Sequence, residues 1–155
     1  MAIAGRNRPR RREAATSLLH VFTCTLLIAV AARAQSAQSP ASVKDGVYTK
    51  AQAERGQKVF EQTCKGCHAL VPHEKVASDA PGPDLAGDEF LTHWSGKPAG
   101  AVAKIILNTM PNDFSMEMTE PISLDLTAYL LQVNKFPEGA AELTADTAKT
   151  AIIVK

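Results

Sequence analysis

The chain has 155 residues, 45% hydrophobic and 21% charged, with 17 basic and 16 acidic side chains, a balance suited to one globular domain. Six of the basic residues but only one acidic residue fall within 1–34, so the remainder holds eleven basic and fifteen acidic side chains, a formal net charge of −4. That remainder is too acidic for a nucleic-acid-binding surface.

The N-terminus places Arg6, Arg8, Arg10, Arg11 and Arg12 against a single Glu13, ahead of an uncharged apolar run from Leu18 to Ala32. A basic head, an apolar run and the small-residue site Ala32-Arg33-Ala34 together predict a signal peptide over 1–34, cleaved before Gln35, and export to the periplasm. The rival is an uncleaved anchor, but the run has fifteen residues where a bilayer span needs roughly 20. No stable membrane anchor is therefore expected. Cleavage removes Cys24 and leaves Cys64 and Cys67 in an oxidising compartment. A disulfide closing so short a loop would constrain the unfolded chain very little, which points the pair toward chemistry.

Residues 35–45, QSAQSPASVKD, read as a flexible leader, with order expected from Gly46. Thr49 and Gln52 have capping-box spacing, and the helix they open runs to Cys64 with Gly56, Val59, Phe60 and Thr63 on one face. From Ala69 to Gly87 the prolines and glycines Pro72, Pro81, Gly82, Pro83 and Gly87 break regular structure. Loops of that length are usually functional or supported by something besides their own backbone.

A short helix is predicted over Asp88 to Trp94. Another is opened by Pro98, with Val102, Ile105, Ile106 and Thr109 at helical spacing, and stops near Asn108 because Met110 precedes Pro111. After an irregular stretch from Pro111 to Pro121, Ser123 is expected as an N-cap with Asp125 in the first turn. Leu126, Tyr129, Leu130 and Val133 then recur at i, i+3, i+4 and i+7, and Asn134 and Pro137 end that helix.

The expected fold is all-α: three to five short helices and long loops over 46–137, followed by a C-terminal extension over 138–155. Between Thr49 and Val133 the large apolar side chains are few, and small domains short of core need a staple. A flat apolar cofactor at the centre would supply one.

The chemistry concentrates in Thr63-Cys64-Lys65-Gly66-Cys67-His68-Ala69-Leu70. A redox dithiol wants its cysteines at a helix N-terminus in an α/β pattern, whereas these lie at a helix C-terminus with no strands in view. Zinc wants four ligands, and there is no second Cys-x-x-Cys; His73 and His93 are not at zinc-finger spacing. Covalent haem attachment needs only two thiols and a following histidine.

At these residues the sequence resembles the class I c-type cytochromes, the single-haem carriers, from about Gly46 to Pro137, and is similar to small bacterial members that work beside periplasmic dehydrogenases. The resemblance implies one covalent haem c, with Cys64 and Cys67 as its thioethers and His68 as proximal ligand. It also matches Gly56 and Phe60 on the first helix to Tyr129 on the last. In Gly82-Pro83-Asp84-Leu85 it implies that the Pro83 carbonyl accepts a hydrogen bond from His68 Nδ1. Of the three methionines in NTMPNDFSMEMTEPI, the Met-Pro pair implies Met110 as the sixth ligand, with Met116 as its alternative and Met118 beside it. The loop after Met110-Pro111 is longer and richer in methionine than the family pattern. Trp94 matches a tryptophan that lies near a haem propionate; simple core packing is its other reading.

His/Met ligation fills both axial positions, which implies electron transfer rather than catalysis. The expectation is a monomeric periplasmic carrier, not an enzyme. It would take one electron from a dehydrogenase and pass it to a terminal oxidase or another cytochrome. The alternatives are a haem c subunit of a periplasmic oxidoreductase complex, or a ligand-binding or peroxidatic cytochrome lacking the methionine ligand.

Overall fold

A computed structural model describes residues 41–71 and 74–155. The expected signal peptide, most of the expected leader and His73 lie outside the described residues. Among those described, the fold is helical: α1 (Lys50–Val59), α2 (Asp88–Trp94), α3 (Ala99–Thr109), α4 (Glu120–Val133) and α5 (Ala145–Thr150). The only extended pairing among them is a pair of isolated bridges from Ile152 to Ser42 and Pro98. No described helix is long and apolar enough to cross a membrane.

Thr49 caps α1 by accepting a hydrogen bond from the Gln52 amide at 3.1 Å. The reciprocal half of the expected capping box does not form, because the buried Gln52 side chain has a distant partner. It donates to the Leu143 carbonyl at 3.0 Å and accepts from the Leu143 amide at 2.7 Å. One glutamine thereby satisfies two buried backbone groups in the C-terminal segment.

Helices α1 and α4 cross at Gly56, where an added methyl would overlap the Asp125 carbonyl and lie 2.9 Å from the Leu126 nitrogen. Phe60 meets Tyr129 one turn further on, with ring centroids 5.5 Å apart and planes at 52°. On the flank, Arg55 grips both Asp125 oxygens and Glu142, each at 2.8 Å, joining α1, α4 and the C-terminal segment.

Helix α4 begins three residues before the expected cap. Pro121 occupies its second position, where a missing amide proton forfeits no intrahelical bond. Ser123 is therefore interior, 1% exposed, with its hydroxyl donating to the Glu120 carbonyl at 2.8 Å. The other end closes with the Phe136 amide on the Leu131 carbonyl at 3.1 Å and the Lys135 amide on Gln132 at 2.9 Å. Lys135 takes the left-handed position of that motif, at φ 66°.

The expected boundaries at 45 and 137 cut through the packed unit. Val43, set in the expected leader, is completely buried in a 3₁₀ turn (Val43–Asp45) that Ser42 and Asp45 close as a capping box. From the expected extension, Leu143, Ala148, Ala151 and Ile153 enter the main core. The Ile153 amide donates to the Lys97 carbonyl at 2.9 Å, and its carbonyl accepts from Gly96 at 2.8 Å. Both ends supply core that a count from Thr49 to Val133 misses.

Tyr48 anchors this enlarged core. It is 1% exposed and its hydroxyl donates to the Phe136 carbonyl at 2.6 Å. Burial, followed by the charge of Glu138, pushes its pKa from 10 up to about 12. Below pH 10 both folded and unfolded states keep the proton. As pH rises from 10 toward 12 the unfolded state loses it first, so stability falls. Tyr48→Phe is expected to cost about 1 kcal/mol at pH 7 and to flatten that alkaline loss. Urea midpoints measured against pH check it; parallel curves for the two proteins would refute the assignment.

Candidate cofactor site

The last turn of α1 widens into a π-helical segment, Phe60–Cys64, closed by the Lys65 amide on the Phe60 carbonyl at 3.0 Å. The chain then wraps around one acceptor: the amides of Cys67 and His68 both donate to the Cys64 carbonyl, at 3.1 and 3.0 Å. The long loop is pinned alongside. Ser78 donates to the Gly66 carbonyl at 3.0 Å, Gly82 to Cys67 at 2.9 Å and Leu85 to Ala69 at 2.9 Å. The loop without secondary structure is thus ordered by the very segment that carries the cysteines.

His68 is held within this frame. Its Nδ1 lies 3.0 Å from the Pro83 carbonyl oxygen. A carbonyl can only accept, so Nδ1 is the donor in this bond, which in the neutral ring leaves Nε2 the lone pair a metal needs. The ring rests against Gly82, where a methyl would overlap Cε1 and lie 2.7 Å from Nδ1. Asn134 braces the same loop from the end of α4. Its amide donates to the carbonyls of Leu85 at 3.0 Å and Leu130 at 2.8 Å, and its oxygen accepts from Gly87 at 3.0 Å. The sequence marked Asn134 only as a helix stop; its place just past an apolar stripe was the signal for a capping role.

Cys64 is half-buried and Cys67 exposed. Burial, and then the neighbouring Cys67, pushes the Cys64 thiol up to about 11. A redox dithiol needs the reverse, a thiol lowered by a helix N-terminus or a cation. Among the described residues no group of three or more His, Cys, Asp or Glu side chains is placed to hold a metal ion.

The three methionines are all half-buried. Met110 follows α3 in extended geometry, φ −121° and ψ 148°, as the residue before Pro111 should. Met116 is tied to the cysteine-bearing turn by the Thr63 hydroxyl, which donates to its sulfur at 3.6 Å. Met118 and Cys64 both pack against the cluster of Phe60, Leu126 and Tyr129. Sequence reasoning had no signal for the Thr63 contact, which spans 53 residues.

Trp94 packs on the main core, 6.3 Å from the Phe90 ring, with Lys97 Nζ 5.0 Å from its centroid. The exposed His93 meets its edge at 4.9 Å.

The family described as cytochrome c oxidase, cbb3-type, subunit III matches residues 51–130, just over half of the chain. The chain belongs to this family. It contains a cytochrome c domain, whose general role is electron transfer through covalent haem c, and its fold is the expected all-helical one. Neither the curated proteins nor the solved structures contain a match to it.

The residues present fit that cofactor. A paired Cys64 and Cys67 precede a histidine whose Nδ1 is engaged by a carbonyl, and Leu70, Leu85, Ile106, Met118 and Ile122, partly buried, pack on the same Phe60, Leu126 and Tyr129 cluster as Cys64, giving an apolar surrounding.

Proposed function

We propose that this protein is a single-electron carrier of the periplasm, using one haem c with histidine and methionine ligands. Cys64 and Cys67 tether the haem as thioethers, His68 ligates through Nε2, and Pro83 holds His68 in orientation and raises its basicity. Met110 would supply a thioether ligand to the iron from a loop stiffened by Pro111. Bound haem supplies a one-electron couple, and the soft thioether raises its potential. With His68 and Met110 both holding the iron, the group would serve electron transfer rather than substrate binding. Trp94 is assigned to a haem propionate, through its indole N–H.

The observation that carries the reading is the locked His68 ring, bonded at Nδ1 and seated on Gly82 immediately after the cysteine pair. The donor is a periplasmic dehydrogenase and the acceptor a terminal oxidase or another cytochrome. A monomer meeting such partners briefly needs only a small interface. A second reading, a haem c subunit held within a larger oxidoreductase, draws on the matched family's description as an oxidase subunit.

Denaturing electrophoresis with peroxidase staining tests attachment, since covalent haem stays with the chain and Cys64→Ser with Cys67→Ser should abolish the stain. Ferric absorption tests ligation. The weak far-red methionine-to-iron band should vanish in Met110→Ala, with the potential lowered by on the order of 100 mV. It should survive in Met116→Ala and Met118→Ala. A band that persists in Met110→Ala overturns the ligand assignment, and a wild-type protein without the band has the ligand-binding type of site.

A further inference from the structure

Between Lys104 and Lys135 the sequence has no basic residue and four acidic ones, Asp113, Glu117, Glu120 and Asp125. Asp125 is engaged by Arg55, and Glu120 lies close enough to Lys149 to raise its pKa. Asp113 and Glu117 remain exposed, on either side of Phe114.

Phe114 is 91% exposed at φ 54°, a left-handed conformation that a bulky side chain rarely adopts. The turn presenting it is closed on both sides. The Phe114 amide donates to the Pro111 carbonyl at 3.2 Å, and the Asp113 carboxylate accepts from the Ser115 amide at 3.0 Å. Met116 and Met118 of the same loop turn inward, onto Thr63 and onto the Phe60 cluster. The loop thus turns the thioethers of Met116 and Met118 toward the protein, half-buried, and presents its one aromatic ring to solvent. Leaving that ring wet forgoes about 1.5–3 kcal/mol of burial, and backbone conformations of this kind cluster at functional surfaces.

We propose that Phe114, flanked by Asp113 and Glu117, is the anchor of the surface on which this protein docks its electron-transfer partner, a protein presenting an apolar pocket rimmed by lysines or arginines. Aromatic anchors dominate small interfaces, and a charged rim steers the encounter. The inference rests on the electron-carrier reading. It adds the place: four residues beyond Met110, so that docking there brings the partner to the loop assigned to the axial ligand.

The test uses full-length, haem-loaded protein and two probes that share the partner's chemistry, being cationic and apolar. Tris(phenanthroline)chromium(III) is paramagnetic and redox-inert. Added to the ferrous protein, it should broaden NMR signals of residues 112–118 first. Tris(phenanthroline)cobalt(III) accepts one electron, becoming cobalt(II) as the ferrous haem becomes ferric. Its stopped-flow rate should fall about fivefold or more in Phe114→Ser and about threefold in Asp113→Asn with Glu117→Gln, and return in Phe114→Leu. Oxidation by the hydrophilic trianion ferricyanide should not slow in Phe114→Ser, nor should the potential move.

Broadening centred elsewhere, or an unchanged cobalt rate in Phe114→Ser, overturns the docking surface. A shifted potential or altered spectrum in Phe114→Ser also overturns it, by showing that the ring packs on the haem. A chain without haem would react with neither oxidant, which sinks the carrier reading, while the chromium map still decides whether this surface takes apolar cations.

Discussion

Gly56→Ala is expected to destabilise the protein by about 3 kcal/mol or more, lowering the thermal midpoint by roughly 10 °C. Intrinsic propensity argues the other way, since alanine is favoured over glycine in a helix by about 1 kcal/mol. The crossing with α4 decides the sign. The new methyl would overlap the Asp125 carbonyl and sit 2.9 Å from the Leu126 nitrogen. Both are backbone atoms of a packed helix, with no flexible side chain to give way. Helices α1 and α4 must part, which loosens the Phe60 and Tyr129 rings and the two-pronged Arg55 to Asp125 contact. Thermal and urea unfolding of the haem-loaded protein measure the effect. Gly66→Ala is the control, because a methyl there meets nothing within 4 Å. Equal midpoints for Gly56→Ala and wild type would mean that the helices do not cross at this distance.

Local steric rules made part of this fold legible. The span of α2 and the limits of α3 followed from turn residues and from the two X-Pro junctions, whose effects act within a residue or two. The start of α4 was misread because Pro121 was taken as the last breaker of a loop, although a proline is tolerated in a first helical turn. Val43, set in the expected leader, and Ile153, set in the expected C-terminal extension, fell outside the expected domain bounds for a different reason. Each lies in a segment too short to show periodicity, and what buries them is a pairing of the two ends of the domain, with the Val43 amide on the Ile152 carbonyl at 3.0 Å. Gln52 was misassigned in the same way, by a partner 91 residues away.

The site divides along the same line. Cys64, Cys67 and His68 fall within five residues, and Pro83 lies in a short recognisable segment, so motif reading can name them as candidates. The seat that Gly82 offers the His68 ring, the brace from Asn134 and the tie from Thr63 to Met116 arise from tertiary approach and leave no spacing signal. The choice among Met110, Met116 and Met118 has the same origin: three flexible thioethers within one loop are equivalent in chemistry, and only their placement distinguishes them.

Gly82→Ala should act on the chemistry rather than the scaffold. The added methyl would overlap His68 Cε1 and lie 2.7 Å from Nδ1, while the backbone at Gly82 stays bonded to the Cys67 carbonyl at 2.9 Å. The ring is the softer element, so it must swing, and the 3.0 Å bond to Pro83 is the contact it loses. A histidine freed from its orienting carbonyl binds iron less tightly, by about 10–100-fold on the precedent of other metal sites, or roughly 1.4–2.8 kcal/mol. The expected result is a ferric spectrum that loses its low-spin character at lower denaturant than wild type. The NMR signal of the His68 Nδ1 proton should also exchange faster with water. Gly82→Ala lacks the φ penalty of a left-handed glycine, so a loss of this size cannot come from backbone strain. If both the spectrum and the proton behave as in wild type, the ring is not seated on Gly82, and the ligand geometry assigned to His68 falls with it.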